Sequence, residues 1–408
     1  MRDTTPPDRT YISRQTELLK QVAERNRIGF LAFGFGSALG AGTQSHAPLR
    51  YLCGWDSHEA TSLLVVDQKK PTLLVSSPFM LPMARAQLSD LETVALPPAL
   101  WSEYLRDELA VTEDYATIGF EEMPHSIFRN FGKVWPGIET ASADELLASM
   151  RQTKDERELA LHRQGAEICD TLFDKLSFEL KSSQSLWEMH YRPTQAAWLA
   201  QLNLESDAKR LGADYCKTWL TIAPCADYPR YWPKETQQTP ETGDQVLFGI
   251  ALTVEGHWAH GIRMGSIGIA TAEHKRLWGL VCDMQDAAVD QLTVGSVLSG
   301  CETAMFRVLN EFRKSTELKD FIRFRNGHGL GHSYEEPGIS DSFPQHFGPS
   351  SFQKPIPVDS VVKESMVVEL HPNIFIPQIG GAAIGDMFVT TQNGPKNLLT
   401  FPRSLMKL

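Results

Sequence analysis

TGDQVLFGIALTVEGHWAHGIRMG, residues Thr242 to Gly265, decides how the second half of this chain folds. Two apolar runs, Gln245 to Leu252 and His257 to Met264, lie either side of Glu255-Gly256, which reads as a strand pair closed by a tight turn. On its C-terminal side the apolar spacing predicts a long helix over Ala272 to Leu292 and another over Cys301 to Arg313, with strands returning at Met366 to His371 and Met387 to Thr391. From Ser185 onward, helices followed by strands predict an α+β domain. On the N-terminal side, LLASMRQTKDERELALHRQGAEICDTLF (Leu146 to Phe173) reads as two amphipathic helices parted near Thr153, with Leu159, Leu161, Ile168 and Leu172 at helical spacing. The domain junction is therefore placed near Gln152, giving domains 1–152 and 153–408. In the first of these, a helix over Gln15 to Glu24, strands at Ile28 to Phe35, Thr61 to Val66, Thr72 to Ser76 and Ala116 to Gly119, and a helix over Pro82 to Gln87 predict an α/β layer domain.

Composition narrows the function classes. The chain has 408 residues, 42% of them hydrophobic, and 50 acidic against 39 basic side chains give a formal charge of −11. A negative chain without a basic run is not built to neutralise phosphates, so nucleic acid is not expected as a partner. The most apolar stretch, IGFLAFGFGSAL (Ile28 to Leu39), is too short to span a bilayer, and MRDTTPPDRT at the start has no apolar signal core, so no membrane partner is expected. Six dispersed cysteines (Cys53, Cys169, Cys216, Cys225, Cys282, Cys301) with no CxxC pair read as free thiols of a cytoplasmic protein.

The chemistry lies in histidines. His257 and His260 sit on the hairpin, His328 and His332 in the glycine-framed NGHGLGHSYEE, and His371 after the strand in VVELHPN. Imidazole is both the commonest transition-metal ligand and the usual general base near neutral pH. The spacing matches no short zinc motif, so counting histidines does not by itself distinguish a site from satisfied core residues.

Taken together, TGDQVLFGIALTVEGHWAHGIRMG, NGHGLGH, MVVELHP and DMFVTTQNGPKNLLTFPRSL resemble, in order, the second domain of the creatinase, aminopeptidase P and prolidase family. RQTKDERELALHRQGAEI resembles the opening of that domain, and RYLCGWDS a strand of the family's N-domain. The resemblance implies an α/β N-terminal domain followed by an α+β pita-bread C-terminal domain, paired as a homodimer. Metallopeptidases of the family hold two metal ions on two aspartates, a histidine and two glutamates. Those positions fall here on Gly249, His260, His328, His371 and Gly385. The resemblance thus implies that the standard dinuclear centre is not built, and that one metal survives on His260, His328 and His371. Three imidazoles suit Zn, Fe, Cu, Ni or Co rather than Mg or Ca, with Fe or Zn ranked first.

Three protein ligands leave positions for water and substrate. The reading ranked first is hydrolysis of a non-peptide C–N bond in a small carboxylate-bearing metabolite. An Fe(II)-dependent oxygenase or lyase at the same site stands as an alternative, as do a metal-free creatinase-like hydrolase with His328 as base and His371 as partner, and a binding protein without turnover. Glu335 stands where the family has a second catalytic histidine, and Glu335, Glu369 and Asp386 are candidates for orienting ligands or moving protons. Substrate contacts are expected from Arg230, whose planar fork suits a carboxylate, from Tyr231 and Trp232, and from His257, Trp258 and His332. Arg263 is expected to pair structurally with a nearby acid. The strand at Tyr51 to Ser57 and the glycine-rich Gly34 to Gly42 are expected to reach a dimer partner's site.

Overall fold

The computed structural model describes residues 9–35, 46–56, 60–138, 141–182, 215–223, 241–316, 321, 323–343, 359–376 and 379–408. The chain divides into two compact units, Met1–Arg151 with His332–Tyr334, and Gln152–Gly331 with Glu335–Leu408.

The first unit runs α1 (Arg9–Ala23), β1 (Gly29–Phe35), α2 (Ala47–Cys53), β2 (Thr61–Val66), β3 (Thr72–Val75), α3 (Leu81–Gln87), β4 (Glu92–Ala95), α4 (Trp101–Asp107), β5 (Tyr115–Ile118), α5 (His125–Val134) and α6 (Asp144–Arg151). Its mixed sheet has the order β4-β3-β2-β1-β5, with β1 antiparallel to β2 and parallel to β5. Side chains of a strand alternate between faces. On β1, Phe30 and Ala32 accordingly join one core with Leu18, Val22, Leu49 and Leu147, while Leu31 and Phe33 join another with Trp101, Leu105 and Phe131. Helices α1, α2 and α6 thus cover one face and α4 and α5 the other.

One expectation is corrected in this unit. Arg50 to Cys53, read as part of a strand, is helical. Pro48 opens α2, and Gly54 closes it at φ 71 while its N–H donates to the Arg50 carbonyl, a left-handed cap for which glycine carries no Cβ penalty. Ser57 lies outside the described residues.

The second unit runs α7 (Glu156–Ser182), β6 (Tyr215–Ala223), β7 (Gln245–Val254), β8 (His257–Ser266), α8 (Ala272–Val289), α9 (Ser299–Thr316), β9 (Gly327–Gly329), β10 (Val367–Leu370), β11 (Asn373–Ile376), β12 (Gly380–Ala383), β13 (Asp386–Val389), β14 (Lys396–Asn397) and β15 (Met406–Lys407). The hairpin pairs β7 with β8 from Gln245↔Ser266 to Val254↔His257. Glu255 and Gly256 both take positive φ, 45° and 77°, as a two-residue turn matched to strand twist requires. All residues of β7 and β8 are buried. Helices α8 and α9 lay Leu277, Val281, Met284, Met305 and Leu309 against Val368, Leu370 and Ile374, and each such buried side chain contributes roughly 1.5–3 kcal/mol.

The described strands of this unit form sheets of order β15-β8-β7-β6, β14-β13-β10-β9 and β11-β12. The first two are joined by a bridge between Ile262 and Gly385, whose N–H groups donate to each other's carbonyls at 3.1 and 3.0 Å. Arg263, fully buried, holds that bridge. Its Nη1 donates to the Ile262 and Gly385 carbonyls, its Nη2 to Asp386 Oδ1 at 2.7 Å and to the Phe401 carbonyl, and its Nε to the Pro402 carbonyl. Arg263 is therefore the structural cation that its position in the sequence predicted, and it engages Asp386.

No helix among the described residues is long and apolar enough to cross a membrane.

Replacing Arg263 with Met leaves Asp386 as an unpaired buried carboxylate. The expected cost is about 3–5 kcal/mol, read as a lower urea midpoint, with much of it recovered in R263M/D386L. A second expectation concerns pH. Burial lowers the His274 pKa to about 4 from 6.5. Below pH 6.5 the unfolded chain binds a proton that the folded one does not, so stability falls as pH drops from 6.5 toward 4. His274→Gln should flatten that slope, by roughly 1–3 kcal/mol at pH 4, in urea titrations at stepped pH.

Candidate metal centre

The strand register assembles the site. Glu369 on β10 pairs directly with His328 on β9, and Leu370 with Gly327. On the other side of β10, Glu369 pairs with Met387 of β13, whose Sδ lies 3.2 Å from the His260 backbone N–H. The Ile262–Gly385 bridge sets β8 beside β13, and so carries His260 to the same place. Antiparallel ladders put directly opposed side chains on one face, and His328 and Glu369 meet there: Nε2 lies 3.1 Å from Oε2. His260 Nδ1 contacts the same oxygen, and the His260 and His328 rings stack at 5.7 Å. One donor atom from each of His260, His328 and Glu369 falls within 4.8 Å of the others, and all three residues are buried.

His371 stands beside this trio. Two residues beyond Glu369, it emerges on the same side of the chain, and its N–H extends the ladder to the Asn326 carbonyl at 2.8 Å. Its ring is 5.0 Å from that of His328 and 6.1 Å from that of His260. Among the described residues its buried Nε2 has no hydrogen-bond partner. Asn373 steadies the turn by donating to the His371 and Arg325 carbonyls and accepting from the Phe324 N–H, and Gln285 donates to the Leu370 carbonyl.

Burial, then the neighbouring imidazoles, hold His260 and His328 well below the ordinary histidine value, and burial brings His371 down to about 4. All three are neutral at neutral pH, the state that presents a nitrogen lone pair to a metal. The His328 tautomer is fixed by the Gly329 carbonyl, 3.0 Å from Nδ1: a carbonyl only accepts, so Nδ1 carries the proton and Nε2 the lone pair. Buried nitrogen donors beside a buried carboxylate suit a transition metal, so the residues present fit such an ion.

The remaining predicted residues separate. Glu335 lies opposite Arg325, 3.4 Å from its Nη2. Trp258 shares the parity of His260 on β8, and its backbone N–H donates to the Gly331 carbonyl. His257 has the opposite parity. Its Nε2 lies 3.3 Å from Glu158 and its ring meets His162 edge-on, both on α7, so strand alternation sets its side chain on the face of β8 opposite His260. His332 belongs to the first unit, where its ring meets Tyr51 edge-on at 6.3 Å. Asp386 is taken by Arg263. Arg230, Tyr231 and Trp232, and most of the Gly34 to Gly42 stretch, lie outside the described residues. Glu369, which the sequence offers as a group to orient a ligand or move a proton, stands within this cluster. Its signal was the two-residue spacing to His371 in VVELH.

Residues 160–392 match the profile of Metallopeptidase family M24, and residues 41–153 that of the Creatinase/Prolidase N-terminal domain. The chain belongs to metallopeptidase family M24, a family of hydrolases, and has its two-domain pita-bread fold. The Xaa-Pro dipeptidase of Pyrococcus horikoshii is 22% identical over 298 residues, spanning 72% of this chain and 76% of that protein. Among solved structures, the prolidase from Pyrococcus horikoshii OT3 superposes with a TM-score of 0.75 at 16% identity, covering 97% of this chain and 100% of that one. The N-terminal domain of FACT complex subunit SPT16 from Cicer arietinum reaches 0.67 at 12% identity, covering 97% and 96%. Likenesses this distant fix the architecture, and the chemistry must be argued from the side chains.

The absent side chain of Gly385 gives one test of the packing. A Cβ there would lie 2.7 Å from Glu369 Oε1 and 3.0 Å from the Ile262 backbone nitrogen. Gly385→Ala should cost about 1–3 kcal/mol through overpacking. In a double-mutant cycle with Glu369→Ala, chemical denaturation should show the two positions coupled by at least about 0.5 kcal/mol.

Proposed function

We propose that this chain is a metal-dependent hydrolase that cleaves a non-peptide C–N bond in a small carboxylate-bearing metabolite, at a single-metal site held by His260, His328 and His371. The observation that carries the reading is the buried convergence of His260 and His328 on one point, with the His371 ring 5.0 Å from that of His328. There His260, His328 and His371 would hold a divalent transition metal, Fe or Zn, which would supply Lewis acidity toward water and a carbonyl or amidine group. The chain's own residues do the rest. The three neutral imidazoles offer lone pairs, and strands β8, β9 and β10 hold them in fixed register. Glu335, set against Arg325, is assigned the acceptance of a proton. Arg230 is assigned the substrate carboxylate, with Tyr231, Trp232 and Trp258 framing the remainder of a small molecule, and two chains are proposed to pair as a homodimer. Dipeptidases and prolidases among the relatives support C–N hydrolysis as the reaction type.

A second reading has an observation of its own. His260, His328 and Glu369 form a two-histidine, one-carboxylate grouping, which also serves non-haem Fe(II) oxygenases. Elemental analysis of protein purified without added metal separates the readings. About one Zn or Fe per chain, with turnover abolished by chelator, is expected. Iron with oxygen-dependent turnover would favour the second reading, and metal below about 0.1 per chain the metal-free or binding readings. His371→Ala should lower kcat at least about 100-fold, and turnover near that of the parent protein would remove His371 from the site. Arg230→Ala should raise KM roughly 10–100-fold, the loss of one charge-assisted contact, in steady-state assays.

A further inference from the structure

Two lone-pair-bearing atoms, His328 Nε2 and Glu369 Oε2, face each other where a hydrogen bond between them does not account for the approach. His328 Nδ1 is committed as a donor to the Gly329 carbonyl, so in the neutral ring Nε2 is an acceptor. Yet Nε2 faces Glu369 Oε2 at 3.1 Å, and His260 Nδ1 contacts that same oxygen. A carboxylate oxygen and an imidazole lone pair at this separation repel unless something positive lies between them. Glu369 Oε1 is buried without a hydrogen-bond partner among the described residues, and occupies the space that a side chain at Gly385 would fill. The adjoining Nε2 of His371 is likewise buried without a partner among the described residues.

We infer that Glu369 is itself a metal ligand, so that the ion is held by His260, His328 and the Glu369 carboxylate, with His371 as the fourth donor. This inference deepens the single-metal reading proposed above and rests on it. Glu369 delivers its carboxylate from β10, across the ladder from His328, into the space that a side chain at Gly385 would otherwise take. A carboxylate among the donors leaves the ion less positive than three imidazoles alone, and the donor set is one that Zn²⁺ and Fe²⁺ both accept.

The decisive measurement is made on the full chain with Zn²⁺ alone. In crystals soaked with zinc, anomalous scattering should place one ion with a Glu369 oxygen at about 2.0–2.2 Å and the His260 and His328 nitrogens at about 2.0–2.1 Å. An ion on His260, His328 and His371 with both Glu369 oxygens beyond about 3 Å would overturn the inference and leave the single-metal reading standing. No bound zinc at a stoichiometric load would overturn both. In solution, Co²⁺ titrated into the apo protein and followed by its visible absorption should bind at one ion per chain. E369Q should weaken that binding at least about 100-fold, beyond what loss of a residue that merely orients a ligand usually costs. A folded E369Q that binds Co²⁺ within about threefold of the parent, with the same spectrum, would contradict a ligand role. If E369Q does not fold, the zinc position in the parent protein decides.

Discussion

The site depends on one buried guanidinium. Arg263 donates to the carbonyls of Ile262 and Gly385, the two residues whose reciprocal hydrogen bonds join the β7–β8 sheet to the β10–β13 sheet, and neutralises Asp386 on the strand it secures. A buried charge is tolerated only when paired and fully hydrogen-bonded, and every guanidinium N–H here has an acceptor. From this junction the geometry follows. His260 lies two residues from Ile262 and Met387 two from Gly385, so the junction fixes where His260 stands relative to Glu369. Stability and chemistry are thus tied to the same few backbone atoms.

Much of this was legible in the sequence, for identifiable reasons. The hairpin announced itself by two apolar runs around Glu255-Gly256, and a turn needing two positive φ values leaves little choice of register. The helices following it were read from spacing, and differ from the structure only at their ends. His260, His328 and His371 were singled out from motif order, and the structure gathers their rings within 5.0–6.1 Å of one another.

One departure from the expected elements also has a physical cause. RYLCG carries strand-like residues, but Pro48 and Gly54 bracket it as a helix, and the two punctuating residues outweigh the propensity of those between them. His257 stands three residues from His260 along β8, which sets the two on opposite faces, and it meets α7. Glu369 shows the complementary case: an even separation from His371 places both on one side of the chain, which outward resemblance does not register. The approach of β8 to β13 has no local signal at all, because it is made by residues more than a hundred positions apart.

The burial of β7 and β8 along their whole length has an evolutionary consequence. In a strand covered on both sides, inserting or deleting one residue exchanges the two sets of side chains, pressing each set into packing shaped for the other and turning His260 toward α7. Lineages built on this hairpin can therefore explore new chemistry only by replacing side chains in place, or by shifting a functional group by an even number of residues or across to a facing strand. Glu369 and His371, two residues apart, keep to one side of the chain in the same way, and Gly385 leaves its side-chain space to Glu369 Oε1.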